Sequence, residues 1–136
     1  MPPSKRYAKH ANTIALMMSV FLLCACAAAP TRSTPEAFKL MQEGVVPTSE
    51  VPAFADCLLD GFDRSHFMPT NVAARQQRRS DGYRVETLVD GRLILMSADV
   101  FEDGRVQLFE AKAAKWVNTS GERKVFAQCL EALSKS

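Results

Sequence analysis

The sequence predicts an α+β fold: an antiparallel meander of three to four strands flanked by N- and C-terminal helices. Two observations carry this reading. Asp-Gly recurs at Asp81-Gly82, Asp90-Gly91 and Asp103-Gly104, each beside strand-like sequence, and Asp-Gly supplies the positive-φ residues of tight type I′ hairpin turns. On both sides of that region, apolar residues recur at helical rather than alternating spacing.

Taken in order, Thr34-Pro35-Glu36 has the form of a helix start, with Thr34 as N-cap and Pro35 at the first helical position. Gly44 would end this short helix, which carries Phe38, Leu40 and Met41. A second helix is expected from about Glu50 to Asp60, with Ser49 as cap and Pro52 tolerated in its first turn. Phe54, Cys57, Leu58 and Gly61 follow the i, i+3, i+4, i+7 spacing of one face, and Gly61 reads as the helix end.

Ala74 to Arg79 is expected as a polar edge strand. In the next segment Tyr83, Val85, Thr87 and Val89 alternate with Arg84 and Glu86, which gives one buried face. Leu93 to Phe101 is nearly continuously apolar, as expected of a central strand covered on both sides, and Val106 and Leu108 continue the meander. Thr119 with Glu122 three residues on has the form of a capping box. Val125, Phe126, Cys129, Leu130 and Leu133 then make the apolar stripe of a final helix.

Ahead of this domain lies a segment of different character. Lys5, Arg6 and Lys9 form a basic start, Ile14 to Leu23 is a ten-residue apolar run, and Leu23-Cys24-Ala25-Cys26 closes it. Ten residues have the length of a signal h-region and are too short to cross about 30 Å of hydrocarbon as a helix. The four closing residues resemble the bacterial lipobox, in which an aliphatic residue, a tolerant position and a small residue precede a cysteine. The resemblance implies cleavage before Cys26 and lipid attachment at its thiol, with more than one acyl chain to make the anchoring stable. Ala27 is not the aspartate that the class associates with inner-membrane retention, so the resemblance points to the outer membrane, facing the periplasm. The expected organisation is a signal peptide over 1–25, a lipidated tether over 26–34 and a single small domain over 35–136.

That division changes two readings. Removing 1–25 takes away three of the 17 basic residues and none of the 15 acidic ones, so the formal charge falls from +2 to about −1 and no net-charge argument for nucleic acid survives. Of the four cysteines, Cys24 would leave with the signal and Cys26 would carry lipid. Cys57 and Cys129 remain, each inside a Phe-Ala-X-Cys-Leu stretch, and in an oxidising compartment they are expected to join the two flanking helices as a disulfide. The alternative is a pair of buried free thiols.

The search for chemistry yields little. His66 has no nucleophile elbow or triad pattern around it and is expected to be a solvent-exposed loop histidine. There is no CxxC pair, HExxH, calcium loop or glycine-rich phosphate loop, so neither a metal nor a cofactor is expected. Arg75, Arg78 and Arg79 form a local basic cluster that could touch anionic lipid or an acidic partner. The expectation is a solvated edge strand guarded by charge. Trp116 is expected in the core rather than at a binding surface.

Together these readings predict no catalytic residue and a non-enzymatic envelope lipoprotein. Its partners would be the membrane, through lipidated Cys26, and an envelope protein, with no nucleic acid. The alternative function is a periplasmic inhibitor or immunity protein against an envelope-targeting toxin or enzyme.

Overall fold

The computed structural model describes residues 31–66 and 71–135. Its elements run β1 (Phe38–Val45), α1 (Val51–Ser65), β2 (Val72–Arg79), β3 (Gly82–Val89), β4 (Leu93–Phe101), β5 (Arg105–Ala111) and α2 (Ser120–Leu133), with single 3₁₀ turns at Pro35–Ala37, Thr48–Glu50 and Lys112–Trp116. The fold is α+β, as expected, but the sheet has five strands rather than three or four, in the order β1-β5-β4-β3-β2. Every neighbouring pair is antiparallel. The two edge strands, β1 and β2, therefore run parallel to each other. Helix α1 connects them and packs against β2, β3 and β4.

The extra strand is the segment expected to be the first helix. Pro35 does open a helical turn, but it lasts only to Ala37, and Phe38 is already extended. Tertiary pairing overrides the local start signal. Phe38 pairs with Ala111 and Leu40 with Phe109, and a bulge at Met41 then shifts the register so that Gly44 pairs with Val106. Gly44 lies inside the strand and terminates nothing.

The second expected helix exists but runs four residues beyond Gly61. A Cβ placed on Gly61 would collide with the Val125 side chain. The glycine is thus where α2 presses against the backbone of α1, and its role is close approach rather than termination. Phe54 and Phe126 meet edge to face across the same contact, with ring centroids 5.5 Å apart.

The meander is as expected. Edge strand β2 starts at Val72, and β4 sits at the centre of the sheet with Ile94 to Val100 all buried. Of the turns, only Asp90-Gly91 has both residues at positive φ, 51° and 67°, as a type I′ hairpin demands.

On the helix-facing side of the sheet, Val85, Met96, Ala98, Val106 and Leu108 meet Phe54, Leu58 and Phe62 of α1 and Phe126 of α2, all fully buried. Each such side chain contributes about 1.5–3 kcal/mol on leaving water. The two helices are joined by the Cys57–Cys129 disulfide, with Cα atoms 6.1 Å apart.

Candidate functional site

The residues that carry chemistry fall into three groups. The first lies between α2 and the sheet. His66, expected to be exposed, is not: its side chain is 7% exposed, and Nε2 lies 2.5 Å from Oε1 of the fully buried Glu122. Glu122 Oε1 also accepts from the Thr87 hydroxyl at 3.2 Å, and that hydroxyl accepts from the Met96 amide. Glu122 Oε2 is buried with no hydrogen-bond partner among the described residues.

The expected capping box is absent for the same reason. Thr119 is the N-cap, but its hydroxyl donates to Glu110 instead of capping the helix, and Glu122 turns inward to His66.

Both members of this pair had a signal in the sequence. His66, the C-cap of α1, continues the four-residue steps of buried Phe54, Leu58 and Phe62, and Glu122 precedes Phe126 by four and Cys129 by seven on the buried face of α2.

The second group is on the opposite side of the sheet, around Asp99. Its Oδ1 accepts from Arg84 Nε at 2.6 Å and Arg79 Nη1 at 3.2 Å, and Oδ2 from Arg32 Nη2 at 3.1 Å. Arg32, within the segment expected to act as tether, also lays its guanidinium over Phe109 at 3.7 Å and Phe38 at 5.0 Å.

Burial alone would raise the Asp99 pKa. The hydrogen bonds and charges of Arg84 and then Arg32 more than reverse this and hold the carboxyl below its ordinary value. A carboxylate lowered on folding stabilises the native state above its unfolded pKa of about 3.9. That stability is lost as pH falls through the lower folded value. Asp99→Asn should therefore weaken the domain at neutral pH and flatten the loss of stability below about pH 4. Urea midpoints measured across the acid range would test it, and identical acid limbs in both proteins would refute it.

The arginine cluster is likewise engaged in ion pairs. Arg75 pairs with Glu86 at 2.8 Å, Arg78 with Glu102 at 2.6 Å, and Arg79 with Asp81 as well as Asp99. These arginines pair with carboxylates of the protein itself along edge strand β2.

The third group is the one that sequence reasoning placed wrongly. Trp116 is 94% exposed and does not enter the core. It ends the Lys112–Trp116 turn, in which Ala114 is buried and accepts from the Val117 amide, so Trp116 is held outward. Beside the turn is a groove of about 360 Å³ whose lining includes Lys39, Lys112, Lys115, Arg123 and Glu110.

Two further points complete the site. Cys26 and the rest of the lipobox-like segment lie outside the described residues. Among the described residues, no helix is long and apolar enough to cross a membrane, and no cluster of three or more His, Cys, Asp or Glu is placed to hold a metal ion.

These features define a five-stranded α+β domain with a disulfide-stapled helix pair on one face of its sheet. Comparison with protein-family models, curated proteins and solved structures finds no match.

Proposed function

We propose that this protein is a lipid-anchored lipoprotein of the bacterial envelope, attached through Cys26 to the outer membrane on its periplasmic side. Its domain serves as a non-enzymatic binding or structural module. The observation that carries the reading is Leu23-Cys24-Ala25-Cys26 at the end of a basic and then apolar segment. The Cys57–Cys129 bridge supports it, because disulfides persist in oxidising compartments such as the periplasm. The binding-module part is supported by how the polar side chains are used. His66, Glu122 and Asp99 bond to neighbours that hold the fold together, whereas the largest apolar side chain of the Lys112–Trp116 turn faces outward.

The test is metabolic labelling of cells that express the full chain with radioactive palmitate, followed by mass spectrometry of the mature N-terminus. The wild-type protein should take up label and begin at an acylated Cys26, and Cys26→Ser should take up none. An unlabelled wild-type protein, or label that survives Cys26→Ser, would overturn the proposal.

A further inference from the structure

We infer that Trp116, together with the groove beside its turn that Lys39, Lys112, Lys115 and Arg123 line, is a docking surface for anionic phospholipid headgroups of the membrane that carries the anchor. The inference rests on the Cys26 reading for its geometry and adds to it an orientation of the domain.

The first argument is charge. The arginines singled out along β2 are matched by carboxylates. Lys39, Lys112, Lys115 and Arg123, by contrast, have no carboxylate within ion-pair distance among the described residues, yet they line one groove. The one acid in that lining, Glu110, accepts a hydrogen bond from Thr119. Four cations against one engaged carboxylate make a positive patch on a domain whose overall formal charge is near zero. Lysines beside an anionic membrane surface are drawn to it electrostatically.

The second argument is the chemistry of the exposed side chain. Tryptophan is amphipathic, apolar in body with one N–H donor, and settles at the headgroup level of bilayers. The Lys112–Trp116 turn holds Trp116 out in water beside Lys112 and Lys115, the pairing of an aromatic with basic residues that interfacial segments use.

The third argument is reach. Five peptide steps separate Cys26 from Thr31, a span of at most about 17 Å when fully extended. The chain then joins the fold at Arg32, stacked on Phe109 and Phe38. Phe38 pairs with Ala111, the residue that opens the Lys112–Trp116 turn, and that turn rises only about 10 Å. An anchor at Cys26 therefore enters the domain at the same end of the sheet as Trp116, and the tether keeps that end within about 17 Å of the bilayer.

The protein's single tryptophan makes this directly measurable. The mature protein, purified from the full chain and with its N-terminal mass determined, is reconstituted into phosphatidylcholine vesicles with or without phosphatidylglycerol, and Trp116 emission is recorded. On phosphatidylglycerol vesicles the emission should shift to shorter wavelength and be quenched by brominated acyl chains. Both effects should fall to the neutral-vesicle level in about 1 M salt, where screening acts within about 3 Å, and in the Lys112→Glu/Lys115→Glu variant. Both lysines are exposed, and circular dichroism would verify that the variant is folded.

Water-like emission on anionic vesicles from protein shown to be acylated at Cys26 would overturn this inference and leave the anchor intact. If the mass shows Cys26 unmodified, the anchor reading fails, and the same protein is added to preformed vesicles. Sedimentation with anionic vesicles together with the Trp116 shift would then sustain the docking surface, and its absence would overturn it. A shift seen in native membranes but never in protein-free vesicles would assign the surface to a protein partner and likewise overturn the lipid assignment.

Discussion

Replacing Cys57 and Cys129 together with alanine is expected to lower the stability of the domain by about 4 kcal/mol, the loop-closure entropy of a bridge between residues 72 apart. Against the roughly 5–15 kcal/mol that holds a small domain folded, this is the difference between a stable protein and a marginal one. The bridge also acts beside the close contact where α2 meets the backbone of α1 at Gly61. Urea denaturation of oxidised protein, reduced protein and the double variant would measure the effect. Reduced wild type and variant should unfold at the same low midpoint, and a midpoint matching the oxidised protein would sink the prediction.

The second large effect is expected at Glu122. Its carboxyl is fully buried and takes hydrogen bonds from His66 and Thr87. Glu122→Ala strips His66 of its buried partner and leaves a void beside Thr87. Removing one member of a buried pair costs about 3–5 kcal/mol, whereas substitutions at exposed positions stay within about 0.5 kcal/mol. His66→Ala should be destabilising as well. The double variant should lose much less than the sum of the two, because the interaction can be lost only once. Additive losses would show that the two side chains do not act as a unit.

Much of the fold was legible in the sequence. The three Asp-Gly turns located the meander, and the length of unbroken apolar sequence from Leu93 picked out its central strand. The cysteine pair followed once Cys24 and Cys26 were assigned elsewhere. What escaped was decided by partners distant in the chain. Phe38 to Val45 carries a helix-start signal but is claimed by the free edge of β5. Glu122 stands at a capping-box position, yet the helical face it shares with Phe126 and Cys129 turns it inward. Trp116, expected in the core rather than at a binding surface, lies outside it, and the 3₁₀ turn that buries Ala114 instead leaves no trace in periodicity.

The seat of β1 beside β5 also has a consequence for how the chain assembles. Synthesis proceeds from the N-terminus, so among the described residues Phe38–Val45 is the first strand made, while its sheet partner, Arg105–Ala111, comes nearly last. Strands β2 to β5 can zip together through short hairpins as they emerge, but β1 has to wait for a closure of high sequence separation, the slow kind. During that wait it is an unpaired strand bearing Leu40 and Val45, both exposed even in the finished fold. Lys39 and Glu43, exposed along the same strand, place charge where another molecule would otherwise add itself.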